Sequence, residues 1–240
     1  GEKDADLSKW EDLTDKIAAS KDKIVTIGMV IKYADNEDSY FSVHEALRTA
    51  GWHAGVTVKI KPINAEKIET DDKYLKEALQ DVDGILVPGG FGSRGVEGKI
   101  KAAAYALKNK IPYLGICLGL QVAAIAAARE AGLKDANSME FDPDTPNPVV
   151  HAMQDQKGKE NTGGTMRLGD YPCVFDKQSQ AAKLYKAKQI VERHRHRYEC
   201  NNDYRDQYEN WGIKVVGTSP DNHLVEMIEG VGHPLMMASQ

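Results

Sequence analysis

The stretch Ile111-Pro112-Tyr113-Leu114-Gly115-Ile116-Cys117-Leu118-Gly119 leads directly into an alanine-rich run from Gln121 to Ala131. Its apolar first part, Ile111 to Leu114, predicts a buried strand, and the alanine-rich run predicts a helix. A Gly-x-Cys-x-Gly turn between a strand and a helix is typical of a nucleophile elbow, whose sharp turn lifts one side chain clear of the sheet edge. The beginning of a helix also favours the reactive thiolate form of a cysteine. Together these features favour a nucleophilic role for Cys117 over that of a buried structural cysteine.

Short apolar segments alternate with helical patterns on the amino-terminal side of this turn. Strands are predicted at residues 24–31, 56–60 and 84–87, and helices at 42–49, 74–79 and 96–108. Such alternation indicates an α/β fold, a doubly wound and mostly parallel sheet with helices on both faces. Ligands of such sheets bind at the carboxyl ends of the strands. The glycine-rich loop Pro88–Gly92 and Cys117 both lie at such ends, so we expect them to meet.

The alternation stops after Lys134. Two polar segments containing proline or glycine predict loops, and two later apolar segments predict strands: Asp142–Pro148 and Gln154–Gly164, then 213–218 and 224–229. In the second of these strands, alternation of polar and apolar residues places Glu226 and Glu229 on the outward face.

Composition bounds the class of protein. The chain has 240 residues, 41% of them apolar and 28% charged, enough for one large domain with a sizeable core. A net charge of −5 gives no indication of nucleic-acid or membrane-surface binding. The three cysteines, Cys117, Cys173 and Cys200, are odd in number and lack metal-ligand spacing, so we expect no disulfide framework, no metal site and a cytoplasmic location. No signal peptide and no membrane-spanning segment are predicted.

Residues 1–22 are highly charged and precede the first core strand. Trp10, Leu13 and Ile17 within this segment share one face of a predicted helix. The segment is either a linker from something upstream or a helix docked on the edge of the domain, and the sequence alone does not decide between these.

A thiolate that attacks an acyl carbon needs donors for the oxyanion that develops, and a base to form it. The glycines of Pro88–Gly92 expose backbone N–H groups, and the N–H of Leu118 follows the nucleophile directly. A steric need for glycine in a tight turn is the alternative explanation of this loop.

None of the seven histidines has a spacing that identifies it as the base. His44 and His53 are expected to face solvent on or after a surface helix. The run Glu192–Glu199, which contains His194 and His196, is dense in cations. It predicts either a solvated basic strand or a clamp for a carboxylate ligand.

Five blocks of this sequence together resemble one protein family. They are Pro88-Gly89-Gly90-Phe91-Gly92, Leu114-Gly115-Ile116-Cys117-Leu118-Gly119-Leu120-Gln121, Asn137-Ser138-Met139-Glu140-Phe141, Gly164-Thr165-Met166-Arg167-Leu168-Gly169 and Glu192-Arg193-His194-Arg195-His196-Arg197-Tyr198-Glu199. The family is the glutaminase domain of CTP synthases, within the class I (triad) glutamine amidotransferases. The last two blocks are far more specific than the elbow, and the resemblance covers about residues 22–240.

The resemblance implies a flavodoxin-like fold and roles for six residues. The residue that would form the γ-glutamyl thioester is Cys117, the oxyanion donors would be Gly90 and Leu118, and the charged ends of L-glutamine would be held by Gln121, Glu140 and Arg197. Glu140 with Arg197 is chemically sensible, because the zwitterionic end of an amino acid requires a pair of opposite charges.

The resemblance also implies the setting of the full enzyme. Ammonia released from L-glutamine would travel to a separate amidoligase (synthetase) domain, where ATP and Mg²⁺ drive the amination of UTP to CTP, with GTP as activator. The glutaminase domain itself would need no cofactor. The full-length enzyme is expected to be a homo-tetramer, with neither nucleic acid nor membrane as a partner.

The sequence departs from the family at its catalytic base. The family carries the base and its orienting carboxylate in an aromatic-His-Pro-Glu motif directly after the segment that corresponds to Pro234–Gln240. This sequence stops at Gln240, and His233-Pro234 is followed by Leu235 where glutamate would be needed. Smaller departures, Ile31, Leu120 and Met139, concern local packing.

Two domain assignments follow from the resemblance. Residues 1–22 are expected to be the connector from an absent synthetase domain, since Leu7-Ser8-Lys9-Trp10 resembles the connector of the family. Residues 23–240 are expected to be an amidotransferase domain truncated before its His-Pro-Glu motif, which would leave the chain as given without its base.

Two other functions fit the same residues. A thiol hydrolase of the same fold, acting on γ-glutamyl or small peptide substrates, would not need the run Glu192–Glu199. A non-catalytic module would bind glutamine, or pack on a synthetase partner, without chemistry. Protection of Cys117 by glutamine tests the first alternative, and acylation of Cys117 tests the second.

Overall fold

Nine strands form one sheet in this computed structural model, which describes residues 5–32, 37–152 and 166–240. The strands of the described ranges are β1 (Ile24–Ile31), β2 (Thr57–Asn64), β3 (Gly84–Val87), β4 (Tyr113–Ile116), β5 (Ala136–Ser138), β6 (Asn147–Ala152), β7 (Arg167–Phe175), β8 (Gln189–His196), β9 (Tyr198–Cys200), β10 (Ile213–Thr218), β11 (Val225–Gly230) and β12 (Met236–Ser239). The α-helices are α1 (Ser8–Ala19), α2 (Phe41–Ala54), α3 (Ala65–Thr70), α4 (Asp72–Leu79), α5 (Val96–Asn109), α6 (Leu118–Glu130) and α7 (Gln180–Tyr185). The predicted loop Gln154–Gly164 lies outside the described residues.

The large sheet has the strand order β2-β1-β3-β4-β12-β11-β10-β7-β8. The first five strands of this order are parallel to one another. The remaining four continue the sheet in antiparallel pairs, and β5, β6 and β9 form a separate small sheet. The predicted α/β fold with a mostly parallel central sheet is confirmed. The antiparallel extension comes from the part of the sequence where the strand–helix alternation stops.

Alternate residues of the parallel strands face helices on opposite sides of the sheet. Val30 of β1 belongs to the core shared with α3, α4, α5 and α6. Its neighbours Met29 and Ile31 pack instead with Val43 and Leu47 of α2. Strand β3 is buried along its whole length, as its continuous apolar run predicts for a strand covered on both faces.

The edge strand β2 is longer than predicted and leads into a helix that was not predicted. It extends to Asn64 and contains Pro62, which an edge strand tolerates because one side of the strand needs no hydrogen-bond donor. The side chain of Asn64 accepts hydrogen bonds from the N–H groups of Glu66 and Lys67, at 2.9 and 3.2 Å, and so caps the amino end of α3.

Several predicted boundaries were wrong by a few residues. The helix predicted over residues 42–49 extends to Ala54, so Gly51 lies inside α2, where a Cβ would lie 2.7 Å from the Val58 side chain of β2. Gly55 does end α2, in the left-handed conformation with φ of 67°. Pro148 belongs to β6 and not to the predicted loop.

The outward placement of Glu226 and Glu229 was wrong. Both carboxylates are buried, at 1% and 2% exposure, because β11 lies inside the sheet between β10 and β12. A spacing of three residues also sends the two side chains to opposite faces of a strand. Glu229 accepts the N–H of Ala181 at 2.7 Å, in the first turn of α7, whereas Glu226 pairs with Arg167.

The predicted amino-terminal helix is present as α1. None of its residues is buried, and Trp10 is 68% exposed. Its carboxyl end is attached to the sheet by Thr57, whose hydroxyl donates to the carbonyl of Ser20 at 3.0 Å. Within the described ranges no helix combines the length and the apolar character needed to cross a membrane.

Candidate active site

Cys117 occupies a strained turn between β4 and α6. Its φ of 54° and ψ of −106° are unusual for a residue with a side chain, as the elbow motif predicts. The Cys117 N–H donates to the carbonyl of Ser239 at 2.7 Å, which ties the turn to the end of the neighbouring parallel strand β12. The backbone N–H of Leu118 is hydrogen-bonded to the thiol group. The elbow is thus held from the strand side and from the helix side.

Gly115 and Gly119 are required by close backbone contacts around the elbow. A Cβ on Gly119 would lie 2.1 Å from the carbonyl oxygen of Val87 in β3, and one on Gly115 would lie 2.5 Å from the carbonyl oxygen of Gly119. Neither contact can be relieved by moving a flexible side chain, since both neighbours are backbone. The two glycines that flank the cysteine therefore let α6 begin directly against the sheet.

A cavity of about 260 Å³ opens in front of Cys117. Its lining is Gly90, Phe91, Cys117, Gln121, Glu140, Met166, His196, Arg197 and Tyr198. Five of the six residues singled out from the sequence are in this set, and the sixth, Leu118, follows Cys117 directly and is buried. The other four lining residues were not predicted as site residues, although each lies in one of the five quoted blocks: Phe91, Met166, His196 and Tyr198.

The loop Pro88–Gly92 packs directly against the nucleophile. A Cβ on Gly89 would lie 3.4 Å from Cβ and 3.8 Å from Sγ of Cys117. The N–H of Gly92 donates to Oε1 of Glu140 at 3.0 Å. The buried side chain of Lys32 donates to two carbonyl oxygens of the loop, that of Phe91 at 2.9 Å and that of Gly92. The expected meeting of this loop with the cysteine is therefore present in the structure.

Opposite charges lie together on the wall of the cavity. Burial raises the pKa of Glu140, while the N–H of Gly92 and the nearby charges of Lys32 and Arg197 act in the opposite direction. Glu140 and Arg197 are each partly exposed to the cavity. Such a pair can receive an ammonium group and a carboxylate group of one small ligand.

Gln121 connects the elbow helix to the segment that carries Arg197. Its side-chain nitrogen donates to the carbonyl of Tyr198 at 3.0 Å and to the side chain of Gln240 at 3.2 Å. The Gln121 side chain is almost fully buried, at 3% exposure. Through the bond to Tyr198 it positions the Arg197–Tyr198 backbone beside the cavity.

The thiol of Cys117 is in its neutral form at neutral pH. Burial raises its pKa to about 11, against the opposing hydrogen bond from Leu118. The carboxylates of Glu140 and Glu199 raise it further, and Lys99 lowers it. The N–H of Leu118 at the start of α6 favours the thiolate, in the predicted direction, but desolvation of the thiol outweighs it. Attack by Cys117 requires a base close to the sulfur.

The solvent exposure of the histidines differs in part from the prediction. His53 faces solvent as predicted, but His44 is half-buried. In β8 the side chains alternate, so that Arg193 and Arg195 are exposed while His194 and His196 are buried at 2% exposure. The alternative of a solvated basic strand therefore describes only one face of this run.

A buried cluster of five charged or titratable side chains lies beneath the arginine-rich strand. Arg167 donates to both oxygens of Glu226, at 2.6 and 3.1 Å, and to Glu199 at 3.2 Å. His196 Nε2 lies 2.6 Å from Glu199, and His194 Nε2 lies 3.6 Å from Glu226. Burial lowers the pKa of His194 to about 3, so this imidazole is neutral. We call these residues the Arg167 cluster; the cluster reaches the cavity through His196.

Two comparisons with known proteins bear on this arrangement. A family described as glutamine amidotransferase class-I matches residues 36–240. The solved glutaminase domain of Trypanosoma brucei CTPS, with bound acivicin, superimposes with a TM-score of 0.84 and 37% identity, covering 90% of this chain and 84% of that one. The chain belongs to the glutaminase domains of CTP synthases.

Relatives found by sequence comparison support the same family assignment. CTP synthase of Caldanaerobacter subterraneus subsp. tengcongensis is 50% identical over 237 residues, which are 98% of this chain and 44% of that protein. CTP synthase of Bacillus subtilis is 49% identical over 239 residues, with 99% and 44% covered. The chain thus spans less than half the length of these relatives. A Thermotoga maritima glutamine amidotransferase at 14% identity, with a TM-score of 0.52, shares the fold alone.

Proposed function

We propose that this glutaminase domain hydrolyses L-glutamine through a γ-glutamyl thioester on Cys117. The observation that carries the proposal is the cavity itself. Cys117, the oppositely charged Glu140 and Arg197, and the loop Pro88–Gly92, which we call the oxyanion loop, lie around one small space. Its volume of about 260 Å³ suits a ligand of amino-acid size rather than a larger one.

Glutamine would bind with its charged end between Glu140 and Arg197. The carboxylate of Glu140 would accept the α-ammonium group, and the guanidinium of Arg197 would hold the α-carboxylate. Gln121 supports this end of the site, because it fixes the backbone beside Arg197. The side-chain amide of glutamine would then point to Cys117.

The chemistry needs a proton acceptor, two oxyanion donors and water. A base removes the thiol proton, and Sγ of Cys117 attacks the amide carbon while the carbonyl π electrons move to oxygen. The N–H groups of Gly90 and Leu118 would stabilise that oxyanion. Ammonia leaves with the proton held by the base, and a thioester remains. Water then attacks the thioester, which releases glutamate and restores the thiol.

The arrangement of the sheet supports a base that follows β12. Strand β12 runs parallel to β4, with Ser239 opposite Ile116, and the carbonyl of Ser239 accepts the N–H of Cys117. A residue that follows β12 in sequence therefore leaves the sheet beside the sulfur. This supports the placement of the His-Pro-Glu motif that the family carries directly after this strand.

The wider roles are proposed from family membership. The ammonia would serve a synthetase domain that aminates UTP to CTP with ATP and Mg²⁺, in a GTP-activated, cytoplasmic homo-tetramer. Residues 1–22 would connect the two domains.

Acivicin labelling tests the proposal, because the Trypanosoma brucei domain was solved with this compound bound. On a chain extended through the His-Pro-Glu motif, we expect one covalent adduct, located on Cys117 and suppressed by glutamine. Cys173 and Cys200, both buried, serve as internal controls and should stay unmodified. A folded protein that takes up no adduct would overturn the proposal. Labelling that glutamine fails to suppress would favour a thiol hydrolase of other substrates.

Substitution of Glu140 tests the binding of the α-ammonium group. In Glu140→Gln we expect KM for glutamine to rise on the order of 10- to 100-fold, since a hydrogen bond to a charged group is worth roughly 1.5–3 kcal/mol, with a smaller change in kcat. Because burial raises the pKa of Glu140, KM of the parent should also rise as the pH falls through a value above that of an ordinary glutamate. This acid limb should be absent from the variant.

The matched control is Asp144→Asn, which makes the same change of charge at an exposed position a few residues along the chain. Its KM should equal that of the parent. An unchanged KM in Glu140→Gln would remove Glu140 from the binding site.

A further inference from the structure

Lys99 is a fully buried lysine in the first turns of α5. Its exposure is 0%, although lysine is among the residues that are least often buried. Its Nζ donates to the carbonyl oxygen of Pro88 at 2.8 Å. Burial lowers its pKa to about 7. An ammonium group in this position is costly unless something negative stabilises it.

The carbonyl that Lys99 holds belongs to the oxyanion loop. Pro88 is followed by Gly89, which packs against Cys117. At the far end of the loop, Lys32 donates to the carbonyl of Phe91. Two buried lysines thus bind carbonyl oxygens at both ends of the loop and hold its backbone in place.

Backbone geometry places Lys99 near the sulfur, because its Nζ is hydrogen-bonded to Pro88 and the next residue, Gly89, packs against Cys117. Besides burial, the like charge of Lys32 lowers the pKa of Lys99, and ionisation of Cys117 to the thiolate acts in the opposite direction. No carboxylate among the described residues contributes to the shift. In return Lys99 lowers the pKa of Cys117, whereas Glu140 and Glu199 raise it.

We propose that Lys99 is a positioning residue that supplies the buried positive charge for the anionic states of the site. Through the Pro88 carbonyl it fixes the oxyanion loop against Cys117, and its charge stabilises the thiolate and the oxyanion that follows. The inference rests on the proposed glutaminase function, but its effect on the thiolate is separate from turnover.

The test is the pH dependence of Cys117 alkylation by iodoacetamide, followed by peptide mass spectrometry. Two variants separate charge from hydrogen bond: Lys99→Met lacks both, and Lys99→Gln keeps a donor for Pro88 without the charge. Lys108→Met, an exposed position in the last turn of the same helix, is the matched control. This readout requires neither glutamine nor the catalytic base.

We expect both Lys99 variants to react about 10-fold more slowly near neutral pH, which corresponds to a rise of about one unit in the pKa of Cys117. The Lys108→Met control should react like the parent. Because replacement of a buried charge by an apolar side chain of similar size is often tolerated, Lys99→Met should remain folded; if it unfolds, Lys99→Gln carries the test.

Three results would overturn the proposal. They are an unchanged rate profile in a folded Lys99→Met, a shift in Lys99→Met that Lys99→Gln does not show, or an equal shift in Lys108→Met. Failure of acivicin labelling alongside a shifted profile would remove the glutaminase function and leave the Lys99–Cys117 coupling standing.

Discussion

Replacement of Cys117 by alanine is expected to reduce glutamine hydrolysis by about 10⁴-fold or more, as removal of the nucleophile does in other triad enzymes. No other described cysteine can substitute, because Cys173 and Cys200 are buried, at 1% and 3% exposure, and neither lines the cavity. The measurement is ammonia release from glutamine by a chain extended through the His-Pro-Glu motif.

Two controls make the Cys117 result specific. Cys173→Ala should retain parental turnover if it remains folded, since its side chain packs in a separate cluster with Phe175 and Met227. In a full-length CTP synthase, ammonia added directly should bypass the Cys117→Ala defect, because the substitution removes only the source of ammonia. Parental turnover in Cys117→Ala would refute the assignment of the nucleophile.

Replacement of Arg167 by methionine is expected to lower the free energy of unfolding by roughly 3–5 kcal/mol, the usual cost of leaving a buried charge without its partner. Arg167 is 6% exposed and makes three hydrogen bonds to two buried glutamates. Without it, Glu226 and Glu199 would lose the guanidinium that they share, although Glu199 would keep its contact with His196. Urea denaturation monitored by fluorescence measures the loss.

The dependence on pH identifies the cause of the Arg167 effect. Burial already raises the pKa of Glu226, and removal of Arg167 raises it further. The penalty for an unpaired carboxylate exists only where the unfolded chain ionises it, so it is full at neutral pH and disappears as the pH falls below the ordinary glutamate value. The parent and Arg167→Met should therefore converge in stability toward acid pH.

Two further variants near Arg167 serve as comparisons for Arg167→Met. The double variant Arg167→Met/Glu226→Gln should recover part of the lost stability, because one of the stranded charges is gone. Arg193→Met, on the exposed face of β8, should change stability by less than about 0.5 kcal/mol. A loss in Arg193→Met as large as that in Arg167→Met would show that the buried pairing is not the cause.

The pattern of apolar and polar residues predicted those parts of the fold that are buried by apolar side chains alone. Strands β1 and β3 have the predicted bounds, because a continuous apolar run has one favourable place in a doubly wound sheet. The elbow could also be predicted from the sequence, because its backbone contacts require glycine at positions 115 and 119.

The burial of charged side chains could not be predicted from the local sequence pattern. Glu226, Lys99 and Arg167 are stabilised by partners distant in sequence, and periodicity treats every charged residue as solvent-facing. The proposed binding residues Glu140 and Arg197 came from the family resemblance and from no spacing rule, because the segments that carry them meet only at the cavity of the folded chain. A charged residue inside an otherwise apolar strand, as in β11, was the one available signal.

The position of Met236–Ser239 in the middle of the large sheet sets an order of events during synthesis. This strand lies between β4 and β11, so a chain in which β12 has not yet paired would present unpaired edges at β4 and β11. The pairing with β4 spans more than a hundred residues of chain, which makes it a slow, non-local closure. Completion of the sheet and completion of the elbow are then one step, since Ser239 holds the Cys117 backbone. A ribosome-bound intermediate would carry the cysteine without its final geometry, and would be exposed at that moment to edge-to-edge association with other nascent chains.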